Sequence, residues 1–555
     1  MCQTIVTKMI DERKMMNQVC KKYRCFIELL MALCIYALVW ILFGVRYEVN
    51  DDAILSNIAA GAYGRDTQYL VYINILIGWF LKPFFTLFPG LNWLYLLQSA
   101  AVVAALTVLC HLIVQEFGLK RGIPVAALVL CVLGIDLFYS FQYVKNSGIC
   151  LIVGFLLMAK HLGKWNSSLF LGMFFVVFGS MLRFQNFLAV GALSAALLLV
   201  RFFPLSAKEK KTAIWSFMLM IGLVFAVKVV DFTSYQVNDG WRLFTEYNVL
   251  RSQISDFRLQ FLQNPQTLEP LGYSANDVDM LNGWFFWDND VFSTEQLGNI
   301  LQVLPRNSIG NAVRELISHI TALFDLAPLH LFLCVICLLW LVCAKKRRSW
   351  GFAVTMAMFA ALLFYLSYQG RYPHRVDFVL VSAAALFGWQ CCEWKGAVGA
   401  VHPRTMAVTL CLFALVCLPN WNQNRINMKE YAAVRTDVAK YHEYAADKEN
   451  LYLLDIDVLD SISGYDVLRP RPEGFFSNMV FLGGWLSKSP LQTEVLRQYD
   501  IQNPYKDMVN RRDVYLIDYT NASAKEIFLQ EHYDEEIYRV VVEETPVFWT
   551  YQMRS

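Results

Sequence analysis

The chain alternates long apolar runs with short charged breaks. Runs over residues 26–45, 92–115, 122–141, 147–160, 167–182, 186–203, 212–231, 320–344, 350–368, 376–393 and 405–420 each predict a membrane-crossing helix. A further apolar run, 69–89, holds Asn74, Lys82 and Pro83, and its polar content sets it apart from the others. Two polar stretches interrupt the pattern, at 232–318 and 421–555. The second alternates strand-like runs (LYLLDIDVL at 451–459, DVYLIDYT at 513–520, YRVVVEE at 538–544) with helix-like runs at 430–446, 490–499 and 523–532. That alternation predicts a small α/β domain.

Composition agrees with this reading. Of 555 residues, 57% are hydrophobic and 17% charged, which places the chain in the polytopic membrane class and excludes a large soluble core. The net charge of +2 averages regions of opposite character and decides nothing. No small-residue cleavage site follows the first apolar run, so it is expected to remain as an anchor. The 14 cysteines lie in the N-terminal tail (Cys2, Cys20, Cys25) or in apolar runs, such as Cys110, Cys334 and Cys391. None falls in 232–318 or after 418, so the polar regions are expected to use no disulfides. Cys334 and Cys337 have the spacing of a metal pair but sit inside an apolar run, where packing explains them.

Basic residues orient the chain. The tail 1–25 carries Lys8, Arg13, Lys14, Lys21, Lys22 and Arg24 and is expected to be cytoplasmic. If 69–89 lies in the interface, the loops holding Lys120 and Arg121, Lys160 and Lys164, Lys208 to Lys211, and KKRR at 345–348 fall on the same inner side. If it crosses, KKRR falls outside. The charge bias favours an interfacial 69–89. The expected fold is then an α-helical polytopic membrane protein of about eleven spans, with its N-terminus inside and outer loops at 46–91 and 232–318. A membrane region over 26–420 would be followed by an extracytoplasmic α/β domain over 421–555.

With that orientation, the polar outliers at span ends gather at one pole: Asp51 and Asp52, Asn74, Asp136, Asn146, Arg183, Lys228 with Asp231, and GRYPHR at 370–375. Charge placed there lines a wet cavity or pairs with a partner. Asp51 and Asp52 read as a general base or as ligands of a divalent metal such as Mg or Mn, since two adjacent carboxylates do not both ionise cheaply without a cation between them. They read equally as a helix start, with acids favoured by the macrodipole. Arg183, Arg371, His374 and Arg375 read as a phosphate clamp, because guanidinium forks match phosphate oxygens, or as partners of lipid head groups and the nearby acids. Lys228 and Asp231, three apart, read as a local ion pair. In the outer loop, Arg251 and Asp256 lie on a helix-like stretch, and WFFWDNDVF at 284–292 suits either a sugar or a membrane interface.

An acid pair directly after the first span, followed by an amphipathic and an interfacial helix, resembles the GT-C superfamily of membrane glycosyltransferases. The segments NDDAILSNIAAGAYG, RFQNF at 183–187, YNVLRSQISDF and GRYPHR also resemble a bacterial membrane family within it. The resemblance implies a hexosyl- or pentosyltransferase of the bacterial cytoplasmic membrane. Such an enzyme takes a sugar from a polyprenyl-phosphate donor and passes it to a glycan, lipid or protein acceptor on the outer face, with no nucleic-acid partner. It implies Asp51 as the base or metal holder with Asp52 in support, and a basic residue such as Arg371 or Arg375 on the donor phosphate; from the residues themselves, Arg183 and His374 are further candidates for the phosphate, and Asn74, Arg251 and Asp256 for substrate contacts. The rival readings are a transporter or flippase of lipid-linked solutes and a polymerase of lipid-linked repeat units.

Overall fold

The computed structural model describes residues 23–555 except 66, 323–326, 344–348, 392–402, 435–437 and 464–465. The basic tail before residue 23 and the KKRR run lie outside the described residues. The membrane region is built from α1 (Arg24–Leu42), α4 (Trp93–Phe117), α5 (Leu119–Tyr139), α6 (Tyr143–Lys160), α7 (Ser167–Leu182), α8 (Phe184–Phe202), α9 (Ala207–Val237), α14 (Pro328–Cys343), α15 (Ser349–Gln369), α16 (His374–Cys391) and α17 (Pro403–Val434). Among the described residues, seven helices are long and apolar enough to cross a membrane by themselves, which makes this a multi-pass membrane protein. Tyr143–Lys160 is buried along almost its whole length and forms the centre of the bundle, with α7 packed closely along it. Close packing there depends on small residues: a Cβ on Gly154 would meet Val176 at 2.7 Å, and one on Gly179 would meet Leu151 at 2.7 Å.

The 69–89 run folds as a short helix, α3 (Ile75–Leu87). Thirteen residues span only about 20 Å, short of the roughly 30 Å of a bilayer core. Asn74 starts it: its side chain accepts the Leu76 N–H at 3.0 Å and donates to the Val227 carbonyl at 2.9 Å. The expected span 320–344 falls on the end of an amphipathic helix, α13 (Ile309–Ala322), and on α14 (Pro328–Cys343), which Pro328 opens. Helix α9, at 31 residues, reaches about 46 Å and carries its last turns beyond a bilayer core into the region read as loop.

A unit beside the helix bundle, called the outer unit because it lies outside that bundle, is assembled from two distant stretches. The first contains α10 (Asp239–Ser255), α11 (Ala275–Asn282) and α12 (Thr294–Val303). The second contains α18 (Ala439–Ala446), β3 (Leu451–Leu454), α19 (Leu459–Ser463), β4 (Met479–Phe481), α20 (Pro490–Gln498), α21 (Pro504–Asp507), β5 (Val514–Asp518), α22 (Ala522–His532), β6 (Tyr538–Glu544) and β7 (Trp549–Arg554). The sheet has the order β4-β3-β5-β7-β6, parallel across β4, β3 and β5 and antiparallel at β7 and β6. One apolar core joins the stretches: Phe285, Phe286, Trp287 and Phe292 are buried with Leu451, Leu453, Val480, Leu516 and Tyr551. The WFFW segment therefore spends most of its rings on folding, and only Trp284 reaches the cavity described below.

At the heart of this core, Lys525 is fully buried between Asp455 and Asp518, at the C-terminal ends of β3 and β5, with Phe285 4.0 Å beneath its ammonium. Removing one partner of a buried ion cluster strands the others without water. Lys525→Ala should destabilise the outer unit by about 3–5 kcal/mol, read as a lower denaturant midpoint and faster proteolysis of residues beyond 438.

Candidate active site

The outer unit grips the segment that follows the first span. Asn57, in α2 (Asp51–Ala59), accepts the Arg471 N–H at 2.9 Å. Gly474 and Phe476 donate to the carbonyls of Gly61 and Ala62, and Tyr63 stacks on Phe476. Asn92, wholly buried, caps α4 and donates to Tyr47, Ser56 and the Val467 carbonyl. Below, a two-residue parallel pairing of β1 (Arg46–Tyr47) with β2 (Ser140–Phe141) fixes the entry to α2. The first turn of α2 is thus clamped from both sides.

A cavity of about 1370 Å³ lies between this clamp and the bundle. Asp51, Tyr72, Tyr143, Arg183, Lys228, Asp231, Arg251, Asp256, Trp284, Arg371, Arg375 and Trp485 all line it. Consecutive helix residues point about 100° apart, and this separates the acid pair. Asp51 faces the cavity: its Oδ1 accepts the Trp485 indole N–H at 3.0 Å, and its Oδ2 lies 4.0 Å from Arg375. Asp52 turns inward, where Oδ1 accepts the Tyr143 backbone N–H at 2.9 Å and Oδ2 is buried with no partner among the described residues. Burial raises Asp51 above the usual carboxylate range, opposed by Arg375, the Trp485 hydrogen bond, Arg183 and Arg371. Burial and the Asp51 charge raise Asp52 much further, opposed by the Tyr143 backbone hydrogen bond. Asn50 makes no side-chain cap, but the helix starts at Asp51 with both acids in its first turn, so the helix-start reading holds beside the cavity placement of Asp51.

The cations are held in different ways. Arg371 pairs with Asp256 at 2.7 Å, and Arg251, almost wholly buried, stands 3.9 Å from the same carboxylate and over the Trp284 ring. Gly370, at φ 74, makes the turn that delivers Arg371 to this carboxylate. Arg183 sits at the break between α7 and α8, where its extended backbone throws the side chain outward. It lies over the near-parallel rings of Tyr72 and Tyr143, at 5.4 and 5.9 Å, with no carboxylate in ion-pair range among the described residues. Lys228 and Asp231 form the expected ion pair at 2.8 Å, and Asp231 also accepts the Ile75 N–H.

His374 and Asn74 are placed elsewhere. His374 approaches Glu48 and Asp136 at 3.4 and 3.7 Å, beside the fully buried Lys145, and is not on the cavity wall. Burial would raise Glu48, but Lys145 at 2.9 Å and His374 outweigh it and hold the carboxyl at about 2. Asn74 is the α3 cap. Trp485, Tyr72 and Tyr143 were not anticipated from sequence, and Trp284 was anticipated only within the aromatic run at 284–292. The tandem Gly483-Gly484 before Trp485 is the one local sign of a backbone in close contact, since a Cβ on Gly483 would meet the Trp284 carbonyl at 2.9 Å.

Three groups of side chains have ligand atoms close enough to hold a metal: Cys25, Glu28 and His111; Asp277, Glu531 and His532; and Asp455, Asp457 and Asp518. Among the described residues none of these groups includes Asp51 or Asp52. The Asp51 surroundings, an indole N–H and guanidinium groups, fit a charge-balanced carboxylate and do not fit a divalent cation.

No family model and no curated protein matches the chain. Among solved structures it is similar to ArnT from Cupriavidus metallidurans bound to undecaprenyl phosphate, with 11% identity, a TM-score of 0.39, and coverage of 95% of this chain and 97% of that one. It is also similar to the Archaeoglobus fulgidus oligosaccharyltransferase in complex with Zn and sulfate, with 13% identity, a TM-score of 0.39, and coverage of 95% of this chain and 73% of that one.

Asp52→Asn keeps an oxygen that can accept the Tyr143 N–H in an uncharged side chain, and should change stability by less than about 1 kcal/mol. Difference infrared spectra at neutral pH should show a protonated-carboxyl stretch in the wild type that this variant lacks.

Proposed function

We propose that the protein is a glycosyltransferase of the GT-C type that transfers a sugar from a polyprenyl-phosphate donor to an acceptor hydroxyl. The observation that carries this reading is the placement, in one cavity, of the Asp51 carboxylate, whose Oδ2 lies 4.0 Å from Arg375, and of the Arg183 guanidinium, which has no carboxylate in ion-pair range among the described residues. In the reaction, the Asp51 carboxylate takes the proton of the acceptor hydroxyl. The acceptor oxygen forms a bond to the anomeric carbon as the bond from that carbon to the phosphate oxygen breaks. The electron pair leaves with polyprenyl phosphate, and Arg183 and Arg375 meet the charge that develops there. Arg371, already neutralised by Asp256, shapes the wall with Arg251.

The lipid part has a matching surface. Leu188, Ala189, Phe232, Leu362 and Leu366 line the same cavity, and Leu188 and Phe232 are more than half exposed. A polyprenyl chain lying against α8, α9 and α15 would keep its tail in apolar surroundings while its phosphate reaches Arg183. The charge pattern of the loops supports an N-terminus in the cytoplasm and an outer unit beyond the bacterial cytoplasmic membrane. The acceptor is a glycan, lipid or protein that enters from the side of the outer unit, and a hexose or a pentose is the transferred group.

Purified protein in lipid nanodiscs, given a panel of synthetic polyprenyl-phosphate hexoses and pentoses with cell-envelope acceptors, tests this through release of polyprenyl phosphate. Asp51→Asn should lower the rate about 10²–10⁴-fold in protein that still elutes as a folded species. Movement of the lipid-linked sugar across vesicles with no bond broken would overturn the reading in favour of a flippase. Arg183→Gln should weaken binding of polyprenyl phosphate about ten-fold or more, measured by ligand-induced thermal stabilisation, because a charge-assisted contact is lost.

A further inference from the structure

We infer that Trp485 is a positioning residue for the proposed base: its indole N–H fixes the Asp51 carboxylate so that only Oδ2 is offered to the cavity, which makes the outer unit part of the catalytic site. This inference rests on the transferase reading and adds to it a residue 434 positions away in sequence. The geometry is specific. Trp485 is buried, its Nε1 lies 3.0 Å from Oδ1, and its ring packs at 4.8 Å on Tyr72. Tyr72 lies parallel to Tyr143 and beneath Arg183. The indole therefore joins the carboxylate to the aromatic seat of Arg183.

The loop that carries Trp485 is fixed along its length. Gly484, at φ 81, donates its N–H to the Trp284 carbonyl at 3.2 Å. Ser487 donates to the Gly484 carbonyl at 2.7 Å and meets the Tyr247 hydroxyl at 3.1 Å. Lys488 donates to the Phe292 carbonyl at 2.9 Å. Tyr247, Trp284 and Phe292 all belong to the 238–304 stretch. On the other side of the indole, Val71 adopts φ 63, a conformation unfavourable for a β-branched residue, and is held there by the Tyr235 hydroxyl, which accepts its N–H at 2.7 Å. Strain of this kind persists where the surroundings over-determine it, and here it fixes the residue before Tyr72.

The charged and titratable groups facing Asp51 are Arg375 from α16, Arg183 from the start of α8, Arg371 from the turn before α16, Tyr72, Tyr143, and Asp52 on its own helix. Trp485 contributes to none of their charges. Its removal takes away a hydrogen bond to the ionised form only, so Asp51 should hold its proton to higher pH.

The test uses the full-length protein in nanodiscs and needs no substrate. A carbodiimide reacts with protonated carboxyls, so the pH dependence of Asp51 labelling, read residue by residue by mass spectrometry, reports its titration. Trp485→Phe keeps the ring and loses the donor, and should move the labelling midpoint up by about one pH unit. Trp485→His retains a ring N–H and should fall between the two. In the transfer assay, Trp485→Phe should lower kcat about ten-fold or more, move the acid limb of the rate profile upward by the same interval, and leave KM for the donor unchanged. A midpoint equal to wild type in either folded variant overturns the positioning role, whatever the activity. If the midpoint moves while Asp51→Asn retains wild-type transfer, the indole contact stands and the assignment of Asp51 as base fails.

Discussion

An aspartate taken out of bulk water stays ionised only if its surroundings replace what water supplied, and at Asp51 that replacement is divided between two parts of the protein. The bundle contributes the guanidinium groups of Arg375, Arg183 and Arg371. The outer unit contributes an indole N–H. Burial opposes both, so the carboxylate is raised above its ordinary range, but less far than Asp52. The clamp on α2 by Asn92, Arg471 and Phe476 serves this arrangement, because a one-residue rotation of the helix would present the wrong acid.

Two neighbouring carboxylates meet different environments, and the contrast is chemical as much as positional. Asp52 has one oxygen on a backbone N–H and the other buried without a partner among the described residues. The same division recurs at the opposite wall. Arg371 is already spent on Asp256, whereas Arg183 is cushioned by tyrosine faces that hold a cation without cancelling it. Charge that is compensated shapes the cavity, and charge that is not is available to a ligand.

The membrane helices were legible because hydropathy comes in blocks and a helix long enough to cross needs no tertiary information. The position of Asp51 was legible for a related reason: it follows directly on the first run. What could not be read depends on rotation and on long-range contact. His374 and Arg375 are adjacent in the GRYPHR turn, yet the first residues of α16 point them in different directions, and only Arg375 reaches the cavity. Aromatic density at 284–292 has the same composition whether it binds sugar, seats on lipid or fills a core, and only the sheet formed more than 150 residues later decides for the core. Trp485 carried no periodic signal at all, since its role depends on two glycines that let one backbone pass against another.

The divided core of the outer unit has a consequence for biogenesis. Phe285, Phe286 and Trp287 leave the translating ribosome well before Leu451, Val480 and Leu516, which are the residues that cover them. At about 5–20 residues per second, the interval is of the order of ten seconds or more, during which further helices must also be inserted. For that time a strongly apolar segment waits uncovered in the aqueous compartment where it will fold. The order of synthesis therefore creates a requirement for protection, by the bilayer surface or by a chaperone in that compartment, that the finished molecule no longer displays.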